Sequence, residues 1–483
     1  MKLSNTLYPF FFGLIGIFAF SPFSIKFLIF ISYIYLIKVI LYKERNAITK
    51  LFCWGLGHWG FGMSWLIVSI YYYGEVDLIT STLIFGLLVI LLTFVFTIPL
   101  LITNTLISSL KIKAKPTKII LVSGIFLLIE FTRYFFLNGV PWLIPGNIFL
   151  DTITQTTYSV FGVSFASLLI YLICSIIVQY KKSRIAAIAL VFLFISLIPQ
   201  NSNIIINNGI FVTAIQPSSN PFLKYEKDYY QKIEKNLLRL IKQSSQSSKL
   251  IVLPEAELPY HDKTVKFSDF LSKINNKEKL LLGTWHYDEN KLFNAFLNVK
   301  SDQVYKKIHL VPFGEYIPFF KSLRGLIDFF NLPMSNVDHG SKNQTKITVL
   351  NGLEVSTPIC FDMAFPRTVR LMNKSSLFMI NISNDTWFGE SIGPYHHLSI
   401  ARIRSVENNR WTLRATNDGF SAIISNKGTI VDKLDKGDSN ILEGYIDLIY
   451  KNSFYNKIGY IFSYLISFIL ISSIIIRFLW LKF

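Results

Sequence analysis

The chain has 483 residues, of which 51% are hydrophobic and only 16% are charged. This composition is too apolar for an average soluble domain, and the length predicts more than one structural unit. The formal net charge of +18 would suit nucleic-acid binding, but much of the basic excess lies in short loops beside apolar segments, where it sets membrane topology. We therefore expect a membrane protein with a soluble insert, and no nucleic-acid partner.

Eight apolar segments are long enough, or nearly so, to cross a hydrocarbon core of about 30 Å as helices. They lie near 7–20, 25–42, 54–73, 79–103, 118–137, 157–180, 185–199 and 456–479. We expect the first to remain as an anchor, because no cleavage site of small residues follows it. The sequence thus predicts a helical transmembrane domain over 1–202 and one further transmembrane helix within 453–483.

The loops between these segments differ in charge. Lysine and arginine residues cluster after the second, fourth, sixth and eighth segments, whereas the opposite short loops hold little more than Lys26. Because cytoplasmic loops carry the excess of basic residues, both termini are predicted to be cytoplasmic. The region between the seventh and eighth segments is then extracytoplasmic.

Two ionisable residues, Glu130 and Arg133, stand three positions apart inside the fifth segment. Ionisable side chains at membrane depth are costly and need an explanation. They could form a mutual ion pair near the interface. Alternatively, they could contact a lipid headgroup or Trp142 in the loop that follows.

The segment 203–452 resembles a soluble domain. Short β-type runs at 210–215, 250–253, 280–283 and 378–382 alternate with polar helical stretches such as 223–247 and 395–409. This alternation predicts an α/β sandwich with helices covering its strands.

Three polar residues of this domain stand at or near the ends of predicted strands. Cys360 ends the run 355–359, Glu255 follows Leu253-Pro254, and Lys307 precedes an irregular loop over 309–315. Taken singly, each fits a structural role, as a core thiol, a surface carboxylate or a solvated amine. Together a thiol, an acid and a cation are the components of a covalent acyl-transfer site.

Sequence around these residues is similar to that of a known superfamily. The settings 253–255, 305–310 and 358–362 resemble the nitrilases. The strings 309–318, 383–389, 402–407 and 414–419 resemble the membrane-bound branch of that superfamily, the apolipoprotein N-acyltransferases. Seven spans, a nitrilase-like domain and a closing span are also that family's layout. One departure is Asp362, which stands where the family pattern has glutamate and leaves the role of this second acid open.

The resemblance implies a role for each member of the constellation. Cys360 is expected to be the nucleophile, Glu255 the general base and Lys307 the group that stabilises the oxyanion. Glu315 either orients these three or neutralises Lys307.

Further residues are expected to support the site or to contact substrate. Phe361 and Asp362 are the expected supporting residues, and Trp387, Phe388 and Trp142 the expected contacts of the substrate. No cofactor is implied. The seven histidines and three cysteines lack the spacing of a metal site.

The implied reaction is a two-step acyl transfer without a soluble cofactor. Cys360 would take a fatty acyl group from a membrane phospholipid and pass it to the N-terminal amine of a diacylglyceryl-modified lipoprotein. The implied location is a bacterial inner membrane with the catalytic domain on the periplasmic side, where phospholipid is available and acyl-CoA is not. The apolar stretch 319–334 is then a candidate lid at the lipid interface.

Two other functions compete with this interpretation. A membrane-anchored nitrilase-type amidase would hydrolyse a small extracytoplasmic amide, but one helix would be enough to anchor it. A transporter with a large external domain would need polar residues converging at mid-membrane, and the apolar segments offer few.

Overall fold

The computed structural model describes residues 3–73, 77–200, 202–221, 223–312, 314–316 and 337–480. The candidate lid at 319–334 lies outside these residues. Two parts of the chain can be distinguished, an apolar helical part and an α/β domain inserted before the last helix.

The helical part is built from apolar helices joined by short turns. Its α-helices are α1 (Leu3–Ile15), α2 (Leu28–Leu41), α3 (Ala47–Gly62), α4 (Trp65–Val68), α5 (Leu78–Phe96), α6 (Ile102–Ser109), α7 (Lys115–Thr132), α8 (Tyr158–Phe161), α9 (Val163–Gln179) and α10 (Arg184–Ser196). Several helix ends differ from the predicted segment ends, and the largest difference is in the third segment. The third apolar segment begins as a helix at Ala47 instead of near 54, and it bends by 54° after Gly62.

Large apolar side chains face outward from this part. On α5, Leu83, Leu87 and Phe94 are 63%, 68% and 54% exposed. Within the described residues, the helical stretches Leu78–Ser109 and Phe462–Trp480 are long and apolar enough to cross a membrane. The bent pair Ala47–Gly62 and Trp65–Tyr72 makes a third if it counts as one span. These exposed apolar helices indicate a membrane protein.

The ionisable pair of the fifth apolar segment makes separate contacts. Glu130 accepts a hydrogen bond from the hydroxyl of Tyr171 at 2.9 Å. Arg133 donates from Nη1 to the carbonyl of Leu143 at 3.2 Å, and its backbone carbonyl accepts from Val140 N. Arg133 therefore fastens both ends of the loop that contains Trp142.

The inserted domain consists of strands and helices in alternation. Its strands are β1 (Gly209–Gln216), β2 (Leu250–Val252), β3 (Leu280–Asp288), β4 (Lys291–Asn298), β5 (Gln303–Lys306), β6 (Ile347–Val349), β7 (Leu353–Val355), β8 (Met379–Ser383), β9 (Thr412–Thr416), β10 (Ala422–Ile424), β11 (Ile430–Lys433) and β12 (Asn440–Asp447). Its helices are α11 (Tyr230–Gln243), α12 (Val265–Ser272), α13 (Pro366–Met372) and α14 (Gly393–Asn408), and the chain continues through α15 (Phe454–Ile458) to α16 (Phe462–Trp480).

The strands form two main sheets that pack face to face. One has the order β12-β1-β2-β3-β4-β5 and the other β11-β10-β9-β8. Val212, Val252 and Phe296 of the first sheet pack with Ile380 and Leu413 of the second in one buried cluster. The parallel pairs β1–β2, β2–β3 and β8–β9 require crossover connections, and helices supply them.

Helices cover the outer faces of the two sheets. Ile233 and Leu237 of α11 and Phe270 of α12 pack on the six-stranded sheet. On the other side, residues of α14 and of the four-stranded sheet join the core of the apolar helices, so one continuous cluster includes Trp142, Phe361 and Ile403. The predicted α/β sandwich is therefore present, and its second helical layer lies against the apolar helices.

Candidate active site

Cys360 begins a short 3-10 turn, Cys360–Ala364, just after Ile359 pairs with Ile382 of β8. Its φ is +45°, in the left-handed region that a β-carbon disfavours. Asp362 closes the turn, because its Oδ2 accepts from the backbone N–H of Ile359 at 3.3 Å. A strained residue held in this way is typical of a functional position.

Glu255 follows β2 and lies against the neighbouring strand β3. The next residue, Ala256, also has a left-handed φ, of +43°. A β-carbon at Gly283 of β3 would stand 2.5 Å from the carbonyl oxygen of Pro254 and 2.6 Å from the α-carbon of Glu255. Only glycine fits at position 283, because any side chain there would displace the segment that holds Glu255.

Lys307, which follows β5, joins two carboxylates in a buried cluster. Its Nζ lies 2.8 Å from Oε1 of Glu255 and 2.9 Å from Oε2 of Glu315. Asn294 of β4 donates from Nδ2 to Oε1 of both acids, at 2.6 and 2.9 Å. The second oxygen of Glu255 accepts from the backbone N–H of Asn384 at 2.8 Å. Each acid is thereby fixed in position by more than one donor.

Glu315 connects this cluster to the irregular loop. Its Oε2 accepts from the backbone N–H of Val311 at 2.8 Å. Because Glu315 bonds both Lys307 and Asn294, the geometry accommodates an orienting role and a neutralising role at the same time.

The pKa values of the thiol and the amine of the site differ from their ordinary values. Burial alone would lower the pKa of Lys307, but the carboxylates of Glu255 and Glu315 outweigh it and hold the pKa well above its usual value. Burial, followed by the charge of Glu255, raises the pKa of the Cys360 thiol, and Lys307 opposes this only in part. The resting site therefore holds an ammonium group and a protonated thiol.

Asp362 is a buried acid that joins the turn of Cys360 to β5. Its Oδ2 accepts from the Tyr305 hydroxyl at 3.0 Å, and its Oδ1 accepts from the backbone N–H of His309 at 2.7 Å. Burial raises the pKa of Asp362 to about 7, against the donors around it. Its contacts are with the turn and the loop, so the shorter carboxylate at this position serves to hold Cys360 and Lys307 in register.

We expect Asp362→Asn to stabilise the protein more at pH 8 than at pH 5. In the unfolded chain an aspartate has a pKa of about 3.9, so between about pH 4 and 7 the folded state retains a proton that the unfolded state releases. Wild-type stability thus falls as pH rises through this window, by an amount on the order of a few kcal/mol, and the asparagine variant lacks this loss. Thermal midpoints of the two proteins in detergent across pH 5–8 measure the difference. A midpoint of the asparagine variant that falls relative to that of the wild type as pH rises would contradict the assignment.

Two of the three aromatic residues expected to contact substrate, Trp142 and Phe388, form an aromatic stack with Phe361, the residue after Cys360. The ring centroid of Trp142 lies 6.4 Å from that of Phe361, 6.0 Å from that of Phe388 and 5.1 Å from that of Trp65. Trp142 and Phe388 are only 5% and 8% exposed, so both belong to the packed core in this structure. Trp387 is half-buried, and its carbonyl accepts from the Ser69 hydroxyl at 2.7 Å.

Two groups of polar residues near the site were missed at the level of sequence. Asn294 interrupts the apolar strand 292–297, and a polar residue in a buried strand is a signal that could have been used. Asp385 and His397 lie behind Cys360, where His397 Nε2 is 3.2 Å from the carbonyl oxygen of Cys360. Asp385 belongs to the quoted string 383–389, but no spacing in the chain connects it to His397 of α14.

The described residues contain no group of three or more histidine, cysteine, aspartate or glutamate side chains placed to hold a metal ion. Cys53, Cys174 and Cys360 are all free thiols.

Comparison with known proteins gives matches in both parts of the chain. The family model for the apolipoprotein N-acyltransferase N-terminal domain matches residues 12–176, and the model for carbon-nitrogen hydrolase matches residues 211–452. Among the similar proteins, three that are named apolipoprotein N-acyltransferase serve as examples. The protein of Haemophilus influenzae is 31% identical over 449 residues, which cover 87% of this chain and 84% of the relative. The Pasteurella multocida protein is 30% identical, with 89% and 87% covered, and that of Haemophilus ducreyi is 28% identical, with 95% and 94% covered.

Proposed function

The chain belongs to the apolipoprotein N-acyltransferase family and is an N-acyltransferase of lipoprotein maturation, and from this premise we propose that it works by a ping-pong mechanism through a thioester on Cys360. The donor is a membrane phospholipid. The acceptor is the α-amine of the diacylglyceryl-modified N-terminal cysteine of a lipoprotein. The observation that carries this proposal is the 2.8 Å pairing of Glu255 with Lys307 in a buried cluster whose charges act on the Cys360 thiol.

In the first step the sulfur attacks the ester carbonyl of the phospholipid. Because the Cys360 thiol is protonated at rest, a base must take its proton as the carbon–sulfur bond forms, and Glu255 is that base. Collapse of the tetrahedral intermediate breaks the ester carbon–oxygen bond. Glu255 returns the proton to the departing oxygen, which leaves as the hydroxyl of a lysophospholipid.

In the second step the lipoprotein amine attacks the thioester. The carbon–nitrogen bond forms and Glu255 accepts a proton from the amine. The carbon–sulfur bond then breaks, and Glu255 passes this proton to the departing sulfur, which restores the thiol of Cys360. The products are an N-acylated lipoprotein and the free enzyme, so the cycle consumes no cofactor.

Lys307 stabilises the oxyanion in both steps. In the resting site its ammonium group is paired with Glu255 and Glu315. When Glu255 takes up a proton, Lys307 loses one anionic partner at the moment that negative charge develops on the substrate oxygen. The charge of the buried cluster therefore stays constant, which suits a site from which water is excluded.

We propose that the chain lies in a bacterial inner membrane with both termini in the cytoplasm and the catalytic domain in the periplasm. Support comes from the basic loops and from the helices that overlap all eight apolar segments. The proposed division is a transmembrane domain over 1–202, a nitrilase-like domain over 203–452 and a closing transmembrane helix in 453–483. Both substrates are anchored in lipid, and this arrangement brings them to the catalytic domain from the adjacent leaflet.

The acyl chain is proposed to contact Trp387 first and the stack of Phe388 and Trp142 after it. Trp387 is the half-buried member of the three, whereas the other two form the packed surface on which Phe361 rests. Burial of a fatty chain against these rings would leave the reactive ester near the turn of Cys360.

The test is to capture the thioester. Purified protein in mixed micelles is incubated with phospholipid labelled in its acyl chain, and the mass of the peptide containing Cys360 is measured before and after adding a diacylated peptide. We expect the label on Cys360, transferable to the peptide amine, absent from Cys360→Ala and retained in Cys53→Ala, which removes a half-buried thiol of α3. Label that persists in Cys360→Ala would overturn the mechanism, and release of free fatty acid in preference to acylated peptide would favour the amidase.

A further inference from the structure

We propose that His397 is a positioning residue for the nucleophile, because its imidazole holds the backbone carbonyl of Cys360 and so fixes the peptide plane that follows it. The inference rests on the proposed function, since it takes Cys360 as the residue that carries the acyl group.

The contact between the two residues is direct and buried. His397 Nε2 lies 3.2 Å from the carbonyl oxygen of Cys360, and the histidine side chain is 1% exposed. A carbonyl oxygen only accepts hydrogen bonds, so Nε2 carries the proton in this contact. The imidazole comes from α14 and the nucleophile from the turn after the parallel bridge to β8, so the bond joins two separate elements.

A buried carboxylate and a buried guanidinium group orient the ring from its other side. Asp385 Oδ1 lies 2.9 Å from Nδ1 of His397, and Asp385 Oδ2 lies 2.6 Å from Arg414 Nη2. The same Nδ1 is 3.2 Å from Arg414 Nη2, and the Ser383 hydroxyl donates to Asp385 at 2.7 Å. Arg414 is in turn hydrogen-bonded to Asn381. The imidazole therefore has one orientation, in which Nε2 points at Cys360.

Such a network is a costly way to fill space. The side chains of Asp385 and Arg414 are both 0% exposed, and burying charges requires desolvation that apolar residues of similar size avoid. A buried charged network that leads to the backbone of a strained residue is better explained by what it holds in place. Here that is Cys360, whose left-handed φ of +45° needs an external constraint.

Fixing the carbonyl also fixes an N–H. The peptide group is planar and trans, so the C=O of Cys360 and the N–H of Phe361 point in opposite directions within one plane. Oxyanion stabilisation requires donors already aimed at the place where charge develops, and a displacement of about 1 Å can cost about 100-fold in rate. His397 thereby sets the direction of a backbone donor next to the attacking sulfur without touching substrate.

The test compares two amides that differ in reach. In His397→Gln the amide nitrogen can occupy the place of Nε2 and still bond the Cys360 carbonyl, whereas in His397→Asn it can occupy only the place of Nδ1, beside Asp385. We expect the single-turnover rate of Cys360 acylation to fall about 100-fold in His397→Asn and by no more than about 10-fold in His397→Gln. The KM for the phospholipid should stay within twofold of the wild-type value in both variants. The matched control is His396→Asn, which alters the adjacent buried histidine on α14, and it should acylate at the wild-type rate.

Four results are decisive. Equal rates in His397→Asn and His397→Gln, at equal thermal midpoints, would overturn the positioning role, as would wild-type acylation in His397→Asn. If His397→Asn does not fold, His397→Gln alone remains decisive, because it must keep at least a tenth of the wild-type rate with an unchanged KM. Failure of the wild-type protein to form the thioester would instead contradict the proposed function, and the two failures are therefore distinguishable.

Discussion

Replacing Lys307 with methionine is expected to cost about 3–5 kcal/mol of folding free energy and to abolish acylation of Cys360. The substitution leaves Glu255 and Glu315 buried and facing each other through Asn294 without a cation between them. Removing one partner of a buried pair is more damaging than replacing the whole pair, because the remaining charge stays desolvated. Catalysis is lost for a second reason, since no ammonium group remains to stabilise the oxyanion.

Two further variants separate these effects. Lys307→Arg retains the positive charge, so most of the folding free energy should return, but the planar guanidinium should leave acylation at least about 100-fold below wild type. Lys306→Met removes the neighbouring lysine, whose Nζ lies 2.5 Å from Asp288 Oδ2 at the domain surface, and should change stability by less than about 1 kcal/mol. Denaturation curves and thioester formation measure both quantities. Acylation at the wild-type rate in Lys307→Met would exclude the assigned role.

Replacing Glu255 with glutamine is expected to slow acylation of Cys360 by about 10²–10⁴-fold, the usual contribution of a general base. Glutamine has nearly the same volume, so the site keeps its shape while losing the group that we propose takes the thiol proton. Because burial raises the pKa of Cys360, the variant should gain rate steadily as the pH is raised above neutral and the thiolate fraction grows. Single-turnover rates of acylation between pH 6 and pH 10 compare the slope of this increase with that of the wild-type protein.

The controls for Glu255 test whether a carboxylate at that position is what matters. Glu255→Asp keeps the base but withdraws it by one methylene, so its rate should lie between those of wild type and Glu255→Gln. Glu278→Gln removes an exposed carboxylate of the same domain and should have no effect. A pH–rate profile for Glu255→Gln that is parallel to that of wild type would show that another group accepts the proton.

The family and the chemistry were predictable from short strings of sequence. The settings of Glu255, Lys307 and Cys360 indicated an N-acyltransferase of the nitrilase superfamily, and the relatives confirm this. The α/β sandwich was likewise predicted from runs that overlap β1, β2, β3 and β8. These signals are local, because each motif or strand is written in consecutive residues.

Features that depend on several distant segments were not predicted. Arg414 lies in the middle of strand β9, where a charged residue argues against a buried strand until its partner Asp385 is known. Asn294 likewise becomes meaningful only when β4 brings its amide between Glu255 and Glu315. The polar helical stretch at 223–247 is regular α-helix only over Tyr230–Gln243, since turns precede and follow it. The number of membrane crossings and the sidedness stay predictions.

The aromatic stack and the core around it determine whether the nitrilase-like domain can be separated from the apolar helices. Phe361 and Phe365, which follow Cys360 in the chain, share one cluster with Trp142 and the helices of the apolar part. Glu407 of α14 also accepts a hydrogen bond from the backbone N–H of Val163 at the start of α9. Cut out on its own, the nitrilase-like domain would present this underside to water and lose the packing that shapes its reactive turn. The nitrilase-like domain is therefore not an independent folding unit. Fusing it to a different membrane anchor should yield an aggregating, inactive protein.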